Sequence, residues 1–179
     1  VPHPAPIENS NWTETPICVI IYTTIKLTEV DAMKSTNIKF HKLNRNAVLP
    51  RHGSNDAAGY DLYACIDAPI TIKPHTTQFI GTGLSFELPQ GTFVGIYARS
   101  GLAAKFGVRP ANCVGICDSD YRGELRVVLL NHGNQPQTIE PGERIAQFII
   151  TPVLTPEYVE VEELSDTDRG IGGFGSTGQ

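Results

Sequence analysis

Basic clusters are missing from this sequence. Its 14 Lys and Arg are scattered among 19 Asp and Glu, for a formal net charge of −5. No block of positive charge exists to displace the counterions of a nucleic-acid backbone, which argues against nucleic acid as a partner. A small anionic ligand stays open, because a few local arginines suffice for it. Long apolar runs are also missing. Ile17 to Tyr22 is a short apolar run without a basic flank, too short for a signal core or a membrane span. Glu8, Glu14, Glu29 and Asp31 do not suit a mitochondrial transit peptide. The four cysteines (Cys18, Cys65, Cys113, Cys117) form no C-x-x-C, none has a histidine at ligand spacing, and the five histidines are dispersed. No protein-made metal site is expected, and the thiols are expected to be free and buried in a reducing compartment, cytoplasmic or nuclear. Helical periodicity is nearly absent, with one turn at Leu102 to Phe106 as the exception.

What is present reads as β-structure. The 179 residues, 40% of them hydrophobic, suit one domain with a real core. Ile38 and Phe40 alternate with polar neighbours, and Thr71 to Lys73 stops at Pro74. Gln78 to Gly81, Leu84 to Leu88 and Thr92 to Tyr97 are short β-rich runs, separated by Gly83, by Pro89-Gln-Gly91 and by Gly101. Val127 to Leu130 and Ile145 to Ile150 are apolar on both faces, as strands buried inside a sandwich or barrel are. The expectation is an all-β jelly roll or distorted barrel over residues 33–164, without internal repeats, and a flexible glycine-rich arm over residues 165–179. Residues 1–32 show no periodicity, and the Asn11-Trp-Thr13 sequon carries little weight without secretion. Met33, the only methionine, reads as an original start preceded by a leader, with a native extension as the competing reading.

Five stretches carry chemistry. Gly115-Ile-Cys-Asp-Ser-Asp-Tyr-Arg-Gly-Glu-Leu125 packs acids, a tyrosine and an arginine between two apolar runs. Asp118, Ser119 and Asp120 are turn formers and Gly123 eases the exit, so the stretch reads as the bend of a hairpin, and turn chemistry alone accounts for it. Ala57-Ala-Gly-Tyr-Asp-Leu-Tyr-Ala64 is explained equally well as a turn entering a strand, with Asp61 as its cap. Ala98-Arg-Ser-Gly-Leu-Ala-Ala-Lys105 follows a strand and opens a helical turn. Arg99 supplies a forked donor there, and Ser100 and Gly101 supply a hydroxyl and backbone N–H groups, the chemistry of an anion site. A nucleophile elbow, G-x-S-x-G, would need glycine where Ala98 stands. Gly142-Glu-Arg-Ile-Ala-Gln147 is a turn with an edge arginine, Arg144, leading into a buried strand.

The fifth stretch, Arg169-Gly-Ile-Gly-Gly-Phe-Gly-Ser-Thr-Gly178, contains a literal G-x-G-x-x-G at Gly170, Gly172 and Gly175. It is no dinucleotide fingerprint, because no βαβ unit surrounds it, and it has no lysine for a Walker loop. A mobile tail is its plain reading. Backbone N–H groups at Gly175, Ser176 and Thr177 can nevertheless wrap a polyphosphate, with Arg169 adding charge. Phe174 has nothing to pack on unless a flat ligand arrives.

Taken in order, the five stretches resemble the five motifs of the trimeric deoxyuridine triphosphate pyrophosphatases (dUTPases). Residues 57–64 match the first, A-G-x-D-L-x-A, in full, and residues 98–105 are similar to the second. Residues 115–123 look like the third, G-V-I-D-x-D-Y-x-G, with Cys117 at the isoleucine position, where a buried thiol behaves as a small hydrophobe and the exchange costs some packing volume. Residues 142–147 are similar to the fourth, G-D-R-I-A-Q, with Glu143 for the shorter acid, and the tail resembles the fifth.

The resemblance implies hydrolysis of dUTP to dUMP and pyrophosphate by water attacking the α-phosphorus, which keeps uracil out of DNA and supplies dUMP for thymidylate synthesis. It makes Asp118 the residue that orients and deprotonates the water. Arg99, Ser100, Gly101, Gln147, Arg169, Gly175, Ser176 and Thr177 would hold phosphates, with Asp61 and Arg144 supporting them. Asn112 and Gly115 would bind the base in a narrow hairpin pocket, Tyr121 would lie against the deoxyribose, and Phe174 would stack on uracil. The cofactor implied is Mg2+ carried by the triphosphate, with no direct protein ligand, and the assembly implied is a homotrimer with shared sites and no membrane partner. Two rivals remain: a dCTP deaminase of related fold, which needs a glutamate near the base, and a regulatory β-protein that binds nucleotide without turnover.

Overall fold

Glycine and proline cut the chain into short strands, and the backbone pairs those strands antiparallel. The computed structural model describes residues 37–173. Its strands are β1 (Lys39–Lys42), β2 (Arg51–His52), β3 (Tyr60–Tyr63), β4 (Ile70–Ile72), β5 (Thr77–Gly81), β6 (Leu84–Glu87) and β7 (Thr92–Tyr97). After a helix, α1 (Ser100–Phe106), come β8 (Val108–Pro110), β9 (Gly115–Asp118), β10 (Arg126–Asn131), β11 (Gln137–Ile139) and β12 (Arg144–Pro152). A five-stranded sheet has the order β2-β3-β12-β7-β9, a three-stranded sheet the order β5-β10-β8, and two ribbons pair β1 with β6 and β4 with β11. Consecutive strands mostly change sheet, so the expected all-β jelly roll is what forms. No helix among the described residues is long and apolar enough to cross a membrane.

The core lies where the sheets face each other. On the large sheet Leu62, Val94, Cys117, Ala146 and Phe148 point inward, and on the small one Ile80, Val108, Val127 and Leu129 do, all under 9% exposed. Fully burying one such aliphatic side chain is worth about 1.5–3 kcal/mol, so this layer outweighs any single surface contact. Three polar residues, Thr82, Ser85 and Asn131, are buried as well, Asn131 at 0% exposure. Its amide donates to the carbonyls of Ile72 and Gln135, and its oxygen accepts the Gly133 N–H, so the burial leaves no group unpaired.

Three expectations are corrected. The strands on either side of Asp118 to Gly123 do not form a hairpin: β9 pairs with β7, whereas β10 pairs with β5 and β8. Past the turn, Leu125 donates its N–H to the Leu84 carbonyl and accepts from the Thr82 N–H and hydroxyl, which carries the chain across to the other sheet. Turn residues specify a reversal, and the long-range pairing decides which sheet receives the chain. The apolar run of β10 is buried on one face and half-buried on the other, because the strand closes the core and does not sit within it. Finally, burial holds for Cys117 but not for Cys113, which is exposed, nor fully for Cys65, which is half-buried.

The helical turn expected at Leu102 to Phe106 is α1, begun two residues earlier. It ends where Gly107 takes a left-handed φ of 67° and donates back to Ala103 and Leu102. A Cβ on Gly107 would also stand 2.9 Å from the backbone nitrogen of Gly133. Beyond β12, residues 153–173 contain no strand, and Leu154, Tyr158 and Leu164 are 88–96% exposed. The expectations for residues 1–32, Met33 and residues 174–179 lie outside the described residues.

Candidate functional site

Two clefts collect the residues singled out from the sequence. The first, of about 190 Å³, forms where β3, β12 and the start of α1 meet. Asp61 is at its centre, with a side chain 13% exposed. One carboxylate oxygen accepts from Arg99 Nε at 2.9 Å and the other from Arg144 Nη1 at 3.2 Å. Arg99 also donates through Nη1 to the Arg144 carbonyl at 3.2 Å. Asp61 thus holds both guanidinium groups in place, Arg99 through one oxygen and Arg144 through the other. Charge-assisted bonds of this kind are about twice as strong as neutral ones.

Gln147 lines the same cleft and is fixed from two sides. Its amide donates to the Ala98 carbonyl at 2.9 Å. Gly59 lies against its other end, where a Cβ would meet Gln147 Oε1 at 2.6 Å. The stretches 57–64, 98–105 and 142–147 therefore converge, with Gly59, Asp61, Arg99, Ser100, Arg144 and Gln147 around one space. Glu143 orders its turn: the carboxylate accepts the Glu140 N–H at 3.0 Å, and the Glu143 N–H is returned to the Glu140 carbonyl. Its extra methylene relative to aspartate is taken up within that loop.

The second cleft, of about 220 Å³, lies at the corner between the sheets and contains Asn112, Gly115, Asp118 and Tyr121. Cys113 shapes its rim. With φ at +62° it lets Val114 donate to the Asn112 carbonyl two residues back, a tight γ-turn that strains a non-glycine residue. The Asn112 amide then lies over Gly115, where an added Cβ would be 3.1 Å from Asn112 Nδ2 and 3.2 Å from Ile96. Tyr121 donates its hydroxyl to the Glu124 carbonyl at 3.2 Å, and its ring folds over Gly123. Asp118 is exposed at the end of β9, beside the buried Cys117. Burial first, and then the Asp118 charge, push the Cys117 thiol above its usual range.

The corner cleft also holds residues that no motif flagged. Phe79 of β5, Glu124 and Arg126 line it. Glu124 is the acid near Asn112 that sequence reading did not find, and its Oε1 accepts the Gly83 N–H at 2.8 Å. The signal available was its place one residue after Gly123, within the stretch 115–125. Arg169 lines neither cleft. It sits in an exposed turn and donates to the Gly172 carbonyl at 2.8 Å. Phe174, Gly175, Ser176 and Thr177 lie outside the described residues.

The two clefts share no lining residue. On β7, Asp118 is paired with Phe93 and Gln147 with Tyr97, so the two side chains share a face of the sheet. Four residues along a strand and two strand spacings separate them by roughly 17 Å between Cα atoms.

Comparison with known proteins adds the following. The family profile described as dUTPase matches residues 45–178. A deoxyuridine 5'-triphosphate nucleotidohydrolase of Nautilia profundicola is 51% identical over 142 residues, spanning 79% of this chain and 99% of its own. One of Syntrophotalea carbinolica is 44% identical over 146 residues, spanning 82% and 99%. Among solved structures, the dUTPase of Staphylococcus bacteriophage 80alpha with dUPNHPP superposes with a TM-score of 0.70 at 26% identity, covering 81% of this chain and all of that one.

Proposed function

The chain belongs to the dUTPase family, and from that membership we infer that it hydrolyses dUTP to dUMP and pyrophosphate. The observation that carries the reading to the residues is the corner cleft. There an exposed carboxylate, Asp118, lines the same space as an amide that offers both a donor and an acceptor and a tyrosine ring. Asp118 orients and deprotonates the attacking water, a role for which general-base catalysis is worth about 10²–10⁴-fold. Asn112 and the Gly115 backbone bind uracil, and Tyr121 lies against the deoxyribose, where a 2'-hydroxyl would crowd its ring.

The arginine cleft holds phosphates. Asp61 aims Arg99 and Arg144, while Ser100, Gly101 and Gln147 supply further donors, so charge that develops on the phosphate chain meets groups already oriented. Arg169, Gly175, Ser176, Thr177 and Phe174 belong to the arm, residues 165–179, which closes over nucleotide bound on the barrel of residues 33–164. The described residues contain no group of three or more His, Cys, Asp or Glu able to hold a metal ion. Mg2+ fits best on the triphosphate oxygens, where it would neutralise charge.

Within one chain the two clefts have no lining residue in common, with a separation of roughly 17 Å between the Cα atoms of Asp118 and Gln147. That separation supports a site assembled between copies, in which the corner cleft of one subunit faces the arginine cleft of another. Ile116, 58% exposed on the same face as Asp118, suits a contact between subunits. The number of copies, three, rests on the family resemblance.

Pyrophosphate release from dUTP with Mg2+, measured beside dTTP, dCTP and UTP, tests the reading. Release from dUTP alone is expected. Ammonia release from dCTP would favour a deaminase, and dUTP that binds but survives intact would favour a regulatory binder.

A further inference from the structure

Phe79 is out of place for a core strand. It sits on β5, outside all five motif stretches, and its ring is 61% exposed although its neighbour Ile80 is fully buried. The ring is nonetheless held. Val128 lies opposite Phe79 in the ladder and Arg126 opposite Gly81, so Arg126 is the diagonal neighbour on the same face. The Glu124 carboxylate lies over Gly81, where a side chain would otherwise stand, and the central carbon of the Arg126 guanidinium is 5.5 Å from the Phe79 ring centroid. That is within cation–π range. Both side chains line the corner cleft with Asn112 and Tyr121.

On the reading of that cleft as the base and sugar site, we propose that Phe79, steadied by Arg126, is a specificity-determining wall of the base pocket. Uracil offers its hydrogen-bonding edge to Asn112, and its opposite edge, C5–C6, carries no polar group. The position that bears the methyl of thymine must therefore face apolar lining, and Phe79 is the largest apolar side chain supplied from a strand other than those flanking Asn112. A rigid ring there leaves no space for the methyl. Pockets discriminate one methylene-sized group by about 10–200-fold, which sets the size of effect available to this wall.

The test compares kcat/KM for dUTP and dTTP in the full-length wild type, Phe79→Ala, Phe79→Tyr and Arg126→Gln, with sedimentation of each. Phe79→Ala is expected to raise KM for dUTP and to raise the dTTP:dUTP ratio by about tenfold. Phe79→Tyr should restore both, and Arg126→Gln should shift them in the same direction by less. Sedimentation should not change, and exposure at 61% means the ring can be removed without opening the core. An unchanged ratio in Phe79→Ala overturns the inference alone. So does a change in sedimentation, which would make Phe79 a contact between copies. A wild type inert toward dUTP overturns the underlying reading and this inference with it.

Discussion

The arginine cleft and the corner cleft are held together by different forces. In the first, Asp61, Arg99 and Arg144 are tied by two ion pairs, and Gln147 is clamped between the Ala98 carbonyl and Gly59. In the second, no ion pair forms among the described residues. Its shape comes from a strained turn at Cys113, from rings lying on glycine, and from the packing of Cys117 beneath it. A cleft that must grip a highly charged chain is set before the ligand comes, since its donors would otherwise repel or point away. A cleft that must read a flat base needs shape more than charge. On the proposed reading its carboxylate, Asp118, is left exposed where water can reach it.

The sharpest break in this contrast is Asp118→Asn. None of the described side-chain hydrogen bonds or ion pairs involves the Asp118 carboxylate, so the fold should not notice its loss. We expect kcat to fall by about 10³-fold, with dUTP-analogue affinity within a few-fold of wild type. Single-turnover pyrophosphate release and analogue titration measure the two separately, and unchanged turnover would remove Asp118 from the role of base.

Asp61→Ala attacks the other cleft and should behave in the opposite way. Each charged hydrogen bond is worth about 1.5–3 kcal/mol, and two guanidinium groups lose their aim together. Activity should fall by about 10²-fold in kcat/KM, mostly through KM, and here the melting temperature should fall too, by several degrees. Asp61→Asn keeps one acceptor oxygen, enough for one of the two arginines, while its NH2 faces the other guanidinium, and it should recover only a small part of both. If Asp61→Ala binds phosphates as well as wild type does, the arginine cleft is structural only.

How far these clefts were legible in the sequence follows from the same contrast. Arg99 could be read as an anion donor from its type and place, Asp61, Arg144 and Gln147 came into view as site residues only through the motifs that resemble the family's, and the bounds of β7 at Thr92 and Tyr97 could be read because its neighbours are turn formers. Partnerships could not be read. The pairing of Arg99 with Asp61 spans 38 positions, and the crossing of β9 and β10 into different sheets depends on strands far away in the chain. Phe79 was hidden for a third reason. An aromatic residue in a β-rich run reads as core, and only the register of β5 on β10 reveals which face it takes.

Gly59→Ala gives a smaller and more local break. The new Cβ would meet the far end of Gln147, which can swing away at little cost to the fold. Stability should change by less than about 1 kcal/mol, while the hydrogen bond to Ala98 is lost and kcat/KM falls by roughly tenfold. Gln147→Ala should match it, and the double variant should be no worse than either alone, as two changes acting through one contact require.

The smallest effect tests whether the corner cleft rests on packing. Cys117 is 8% exposed, and its replacement by valine, a close match in volume, should cost under about 1.5 kcal/mol at pH 7. The informative quantity is the pH dependence of that difference. An unfolded cysteine ionises near pH 8.5, whereas burial and the neighbouring Asp118 raise the folded value. Below the unfolded value both states carry the proton, and the thiol's contribution is fully present. As pH climbs from there through the folded value, the unfolded state releases its proton first and that contribution is lost. Wild type should therefore lose melting temperature relative to Cys117→Val as pH rises above the unfolded value near 8.5, and Cys65, common to both proteins, cancels from the comparison. Parallel melting curves across that range would mean that the Cys117 thiol already meets water in the folded protein. The floor of the corner cleft would then open on its own, and its shape would have to be supplied by the ligand or by a neighbouring copy.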